Sequence, residues 1–120
     1  MAYDLLSRII IVDDVEESRF VIENTLSHLG FINLESYDDP NIALLEIRRA
    51  KAPKVVITDF NMPGMNGLEL LQQIEVHHPE IKAIIVTGDA SNLIAQTKYP
   101  VIEKGPGFTT KIVECLKKIL

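Results

Sequence analysis

The sequence predicts an α/β domain in which a five-stranded parallel sheet carries helices on both faces. Short apolar runs of strand length alternate five times with stretches of helical spacing along the 120 residues. The first run, residues 8–12, is continuously apolar, as a central strand covered on both faces would be. Repeated β–α units of this kind require a doubly wound sheet with right-handed crossovers.

Each strand is predicted from an apolar run bounded by polar or turn-forming residues. The runs occupy residues 8–12, 32–37, 55–58, 81–86 and 101–103. The second run alternates between apolar and polar residues, which is typical of a strand at the edge of a sheet. The fifth is short, and Pro100 removes a backbone donor at its start.

The first three helices are predicted from apolar residues at helical spacing. The residues expected to face the core are Phe20, Val21, Leu26 and Leu29, then Ile42, Leu44, Leu45 and Ile47, then Leu68, Leu70, Leu71 and Ile74. Gly30 ends the first helix, and the third ends before Pro79. Asp39 and Pro40 supply an N-cap and a first-turn proline for the second helix, which runs to about Ala50.

The last two helices differ from each other in length. Residues 91–98 predict a fourth helix that is short or irregular, because they offer only about two turns before the Tyr99-Pro100 pair. Thr109 or Thr110 is expected to cap a final helix that runs to Leu120.

The composition is that of an ordinary globular protein, with 47% hydrophobic and 24% charged residues, and we expect one domain over residues 1–120. The net charge of −5 argues against nucleic acid or an anionic membrane as a partner. The apolar runs are too short to cross a membrane, and residues 1–4 carry no targeting pattern, so we expect a cytoplasmic protein. The single Cys115 lies at core spacing in the last helix and is expected to pack as an inert thiol.

Polar side chains follow four of the five predicted strands. They are Asp13 and Asp14 after the first, Asp59 after the third, Thr87 after the fourth and Lys104 after the fifth. The carboxyl ends of parallel strands meet at one edge of a sheet, and ligands bind there in folds of this class. We therefore expect these side chains to form one site, with Asp59 exposed at the start of the turn at 61–67.

Three carboxylates at one edge repel each other, by about 4 kcal/mol per pair at about 4 Å and an effective dielectric near 20. A cation must balance them. Aspartate oxygens with room for water and a phosphate suit Mg²⁺ better than a softer metal. Lys104 adds a point charge that can hold an oxyanion, and the Thr87 hydroxyl can donate to phosphoryl oxygens.

Taken in order, these motifs resemble the receiver domain of two-component response regulators, the CheY-like family, over residues 8–120. The resemblance implies a flavodoxin-like sheet of strand order 2-1-3-4-5 with about five helices. It also implies that Asp59 is a phosphoacceptor, which receives a phosphoryl group from the phosphohistidine of a sensor histidine kinase or a phosphotransfer protein. The implied function is a phosphorylation-dependent switch that acts on a downstream protein. Such a switch is not an enzyme in the usual sense, because it promotes only its own aspartyl phosphorylation and dephosphorylation.

The same resemblance assigns a role to each site residue. It implies direct Mg²⁺ binding by Asp14 and Asp59, binding through water by Asp13, and binding through the backbone carbonyl of Asn61. Two further residues, Thr87 and Lys104, would bind the phosphoryl oxygens and couple them to the distant face of the domain. Gly88 would leave the phosphoryl site accessible.

Two other functions stay open at this point. One is a receiver-like interaction module that is never phosphorylated, although such a module would normally have lost an acid or the lysine. The other is a phosphatase of the haloacid dehalogenase type, which needs a second acid two residues after the nucleophile, where this chain has Asn61.

The chain also departs from the family pattern. Receivers usually place a proline after the lysine in a cis bond, whereas Gly105 stands there, so we expect the cis bond to be moved or missing. The family often has an aromatic residue three positions before the lysine, and this chain has Val101, with Tyr99 two residues earlier. With a short fourth helix beside it, the output surface is expected to differ from the usual one.

Overall fold

A computed structural model of the chain describes residues 4–120; residues 1–3 of the predicted domain lie outside this part. Strands and helices alternate along it. The strands are β1 (Ile9–Val12), β2 (Leu34–Tyr37), β3 (Val55–Asp59), β4 (Lys82–Thr87) and β5 (Val101–Glu103). The α-helices are α1 (Glu16–His28), α2 (Pro40–Arg49), α3 (Gly67–His77) and α4 (Phe108–Ile119).

All strand pairs are parallel, and their order in the sheet is β2-β1-β3-β4-β5. This confirms the predicted doubly wound topology. One hydrophobic layer packs α2 and α3 against the sheet, and the other packs α1 and α4 against the opposite face. Central strands β1 and β3 are buried along their whole length, which explains their continuous apolar runs. Cys115 packs against the second layer, where burial raises the pKa of its thiol.

The core-facing residues of the first two helices were only partly predicted. Ile22 and Leu26 are the buried residues of α1, whereas Phe20, Val21 and Leu29 are exposed. Residues two apart on a helix point to nearly opposite sides, so Phe20 cannot share the side that Ile22 buries. In α2 the buried residues are Pro40, Ala43, Leu44 and Ile47, and the expected Ile42 and Leu45 are exposed.

Of the two N-terminal helix caps that the sequence predicted, one is confirmed and the other is wrong. Asp39 caps α2 as expected, because its side chain accepts a hydrogen bond from Asn41 N at 2.9 Å. The predicted threonine cap of α4 is wrong: the helix begins at Phe108, and the capping position is Gly107 with φ 78° and no side-chain hydrogen bond. The left-handed backbone at that position favours glycine, and the threonines lie within the first turn. Peptide bonds across residues 4–120 are all trans, including Lys104–Gly105, so the usual cis bond is missing.

A single 3₁₀ turn, Ile94–Gln96, replaces the fourth helix of the predicted five. The expectation of a short or irregular element is confirmed, and four α-helices remain. The connection between β4 and β5 buries Leu93 just before this turn and Tyr99 after it. The Tyr99 hydroxyl donates a hydrogen bond to Glu75 on α3, and Lys98 Nζ lies 3.5 Å from the same carboxylate. The connection is thus attached to α3 at its end, while its middle is exposed. No helix within residues 4–120 combines the length and apolarity that crossing a membrane requires.

We expect the amides of residues 91–98 to exchange hydrogen faster than those of α3 and to gain protection when a stable phosphoryl mimic is added. A single 3₁₀ turn provides few main-chain hydrogen bonds, and exposed segments of this kind open at low free energy. Amide exchange measured with and without the mimic tests this, with α3 as the internal reference. Protection of residues 91–98 equal to that of α3 in the absence of the mimic would contradict the prediction.

Candidate functional site

Three aspartates meet where β1 and β3 end. Ligand oxygens of Asp13, Asp14 and Asp59 all lie within 4.8 Å of one another. The register pairs Val12 with Thr58, so the residues that follow each of these positions are neighbours at the same edge of the sheet. Asp13 and Asp59 are buried, whereas Asp14 is exposed to solvent. The expected convergence of these acids is therefore present.

The two carboxylate oxygens of Asp13 have different surroundings. Oδ1 accepts a hydrogen bond from Val15 N at 2.9 Å, which fixes the side chain at the start of α1. Oδ2 is buried and lies 3.2 Å from Lys104 Nζ, but without the alignment of a hydrogen bond. The backbone oxygen of Asp13 accepts from Arg19 Nη1 at 2.8 Å. Asp13 is thus held rigidly, with one oxygen left for a cation.

Lys104 connects the ends of three strands. Its Nζ lies 3.2 Å from Asp13 and 3.4 Å from Asp59, while its backbone N–H donates to Thr87 O at 2.7 Å. Its side chain is 24% exposed, so the ammonium is partly shielded from water. One lysine against three carboxylates leaves the cluster with negative charge in excess when all the acids are ionised.

Asp59 is more enclosed than the sequence suggested. We expected an exposed carboxylate, but only 6% of the residue is accessible, because it ends a fully buried strand and lies beside Asp13 and Lys104. Burial, followed by the negative charge of Asp13, raises the pKa of Asp59 to about 6 against the opposing effect of Lys104.

The raised pKa of Asp59 predicts a pH dependence for the metal-free protein. The folded state binds this proton more tightly than the unfolded state, so the contribution of Asp59 to stability is fully present at low pH and is lost as pH rises through about 6. In EDTA near neutral pH, Asp59→Asn should therefore be more stable than wild type, by an amount on the order of 1 kcal/mol that shrinks toward about pH 4. Urea unfolding across this range is the measurement, with Asp38→Asn as a control on an exposed acid. Equal stability of Asp59→Asn and wild type near neutral pH would contradict it.

The residues present fit a hard divalent cation. The donor set consists only of carboxylate oxygens, and one of these, Asp13 Oδ2, is buried without a hydrogen bond. Exposed Asp14 leaves one side of the cluster open to water. Mg²⁺ prefers oxygen ligands and keeps several waters, which this half-open arrangement permits.

The remaining predicted site residues lie close by in the fold. Thr87 is buried at the end of β4, and its hydroxyl is 3.4 Å from both the N and the O of Asp89. Gly88 follows it, with no atom within 4 Å of the position that a Cβ would take. Asn61 is exposed, two residues beyond Asp59. A role for its carbonyl in metal binding stays a prediction.

Sequence reasoning missed two features of the site. Arg19, one turn into α1, holds the backbone of Asp13, and nothing in its spacing indicated this. Gly67 begins α3 so close to β3 that a Cβ there would lie 2.3 Å from Asp59 O. The signal for Gly67 was available: Asn66 and Glu69 form a capping box, which places the glycine at the first helical position.

Several known proteins are similar in sequence to this chain. The family model for the response regulator receiver domain matches residues 9–103. Chemotaxis protein CheY-3 of Vibrio cholerae is 37% identical over 87 residues, which cover 69% of this chain and 65% of that protein. The DNA-binding transcriptional regulator NtrC of Klebsiella pneumoniae is 36% identical over 89 residues, or 74% of this chain. That match spans only 19% of the regulator.

A solved structure shows the same architecture. Response regulator TrrA of Thermotoga maritima, crystallised in complex with Mg²⁺ and BeF, has a TM-score of 0.83 at 26% identity. The match covers 96% of this chain and 100% of that one. The fold of this chain is therefore that of a response regulator crystallised with Mg²⁺ and BeF.

Proposed function

The chain belongs to the response regulator receiver domain family, and from this we propose that it is a switch operated by phosphorylation of Asp59. Receiver domains are signalling switches rather than classical enzymes, and the family interacts with histidine kinases or phosphotransfer proteins. One observation supports the proposal above all: the Asp13–Asp14–Asp59 cluster, with Lys104 Nζ between two of its carboxylates.

The transfer would proceed by direct attack. An ionised oxygen of Asp59 forms a bond to phosphorus as the P–N bond of a phosphohistidine breaks, and the departing imidazole takes the bonding electron pair and then a proton. Asp59 is suited to this because it is held at a strand end, with Lys104 3.4 Å from Oδ2. The lysine favours the ionised carboxylate and can follow the added negative charge.

The metal site would be formed by the same edge. We assign direct contacts to Asp14 and Asp59, a contact through water to Asp13, and one to the backbone carbonyl of Asn61. Receiver domains bind Mg²⁺ through acidic residues, and the ion supplies charge neutralisation at the transferring phosphoryl group when it is bound. Thr87 is assigned as a hydroxyl donor to the phosphoryl oxygens, and Gly88 leaves room for the donor molecule.

The wider setting is also a proposal, because the chain covers only part of the relatives it matches. We propose a histidine kinase or phosphotransfer protein as the phosphodonor and a protein as the downstream target. Retention of all three acids and the lysine argues against an interaction module that is never phosphorylated. Asn61, two residues after Asp59, argues against a phosphatase that needs a second acid there. A cytoplasmic location stays a prediction.

Incubation with Mg²⁺ and acetyl phosphate tests the proposed function. We expect the intact mass to rise by one phosphoryl group, and Asp59→Asn to remain unlabelled. Asp13 also contacts Lys104, but its other oxygen accepts a hydrogen bond from Val15 N, whereas within residues 4–120 the Asp59 carboxylate carries no such restraint. Asp38→Asn, an exposed acid near the same edge, should be labelled like wild type. Labelling of Asp59→Asn at the wild-type rate would show that the phosphoacceptor lies elsewhere.

A further inference from the structure

Glu103 connects the last residue of β5 to the loop that follows β4. Its Oε1 accepts a hydrogen bond from Ala90 N at 3.0 Å. The strand register places Glu103 directly beside Thr87, and the next residue, Lys104, contacts Asp13 and Asp59. Glu103 has no place in the proposed phosphoryl site, but its side chain restrains the loop that begins there.

The same loop also engages the Thr87 hydroxyl. Thr87 Oγ1 lies 3.4 Å from both the backbone oxygen and the backbone N–H of Asp89. Asp89 Oδ1 in turn accepts from Ser91 N at 3.0 Å and from Ser91 Oγ at 2.7 Å. Residues 87–91 therefore form a closed turn in which the hydroxyl needed for a phosphoryl group is directed toward the loop.

We propose that Glu103 is a positioning residue that holds residues 88–90 in the resting arrangement and thereby opposes phosphorylation of Asp59. This inference rests on the proposed function of Asp59. The Glu103–Ala90 hydrogen bond acts through Thr87. Ala90 lies three residues after Thr87, and the turn between them is held by the Thr87 hydroxyl.

The Glu103–Ala90 hydrogen bond opposes phosphorylation because it stabilises the resting loop more than the phosphorylated one. A phosphoryl group on Asp59 brings about two negative charges, which attract hydrogen-bond donors. When the Thr87 hydroxyl donates its single hydrogen to that group, its hydrogen bond to Asp89 O is lost and the turn at 88–90 is weakened. A bond that fixes Ala90 N–H in the resting turn stabilises only the resting state, and removing it shifts the population toward the other state.

Two variants separate the hydrogen bond from the charge. Glu103→Ala removes both, whereas Glu103→Gln keeps an acceptor oxygen at the same distance and removes only the negative charge. The probe is beryllofluoride with Mg²⁺, a stable mimic of the phosphoryl group, titrated into each protein by calorimetry. We expect Glu103→Ala to bind it roughly three- to tenfold more tightly than wild type, and Glu103→Gln to stay within about twofold.

Other outcomes would overturn the inference. Unchanged or weaker binding by Glu103→Ala would show that the hydrogen bond does not oppose activation. Equal tightening in both variants would assign the effect to charge repulsion instead. Amide exchange at Ala90, measured without the mimic, should be faster in Glu103→Ala than in Glu103→Gln or wild type; equal rates would rule out the restraint. The amide-exchange test does not require binding of the mimic. If wild type failed to bind the mimic, that result would refute the proposed function of Asp59 but not the restraint by Glu103.

Discussion

Asp14→Ala should abolish Mg²⁺ binding and slow phosphorylation of Asp59 by roughly a hundredfold or more, because a bound metal contributes several kcal/mol to charge stabilisation in reactions of this type. Asp14 is the exposed member of the cluster, so its truncation should leave the fold intact. The same change at buried Asp13 would also remove the contacts to Val15 and Lys104. Position 14 therefore separates metal binding from folding.

The measurements are calorimetric titration with Mg²⁺ and the rate of mass increase with acetyl phosphate. Asp38→Ala is the matched control, since Asp38 is exposed and lines the same cleft of about 440 Å³ as Asp14 and Asp39. It removes the same charge without touching the proposed ligand set, so both properties should remain near wild type. An unchanged Mg²⁺ affinity in Asp14→Ala would rule out its assignment as a ligand.

The site could be predicted from the sequence because its residues follow strands, and parallel strands deliver their carboxyl ends to one edge. Asp13, Asp14, Asp59 and Lys104 needed only the correct strand order to be brought together. The predicted strand limits differ from the observed ones by one residue at four ends and by two residues at the start of β2. Asp59 and Thr87 are the last residues of β3 and β4 rather than the residues after them, which still places them at the carboxyl ends of their strands. Roles of Thr87 and Asn61 depended on the resemblance to receivers and stay predictions.

Features that depend on how one helix, strand or loop packs against another could not be predicted from the sequence. The apolar residues of α1 leave several possible core-facing sides, and only packing selects the one with Ile22 and Leu26. Burial of Asp59 depends on its neighbours across the sheet, and this burial is the main cause of the raised pKa of its carboxyl. The hydrogen bond from Ala90 to Glu103 joins two loops whose approach no local pattern specifies.

Gly67→Ala should destabilise the domain by about 2–3 kcal/mol and slow phosphorylation of Asp59, because an overpacked contact forces the backbone to move. A Cβ at Gly67 would lie 2.3 Å from Asp59 O and 3.1 Å from Thr58 Cγ2. The backbone φ at Gly67 is outside the left-handed region, so space alone requires glycine here. Removing this overlap requires α3 or the end of β3 to shift, and β3 ends in Asp59, the proposed phosphoacceptor.

Gly88→Ala is the matched control for this change in side-chain size. A Cβ at Gly88 would meet no atom within 4 Å and would require no unusual backbone, so its stability should stay within about 0.5 kcal/mol of wild type. Urea unfolding gives both values, and an unchanged denaturant slope would confirm that the native state, rather than the unfolded ensemble, is affected. Equal midpoints for Gly67→Ala and Gly88→Ala would mean that α3 can move away from β3 at little cost. The close approach of the two elements would then not be what fixes the position of Asp59.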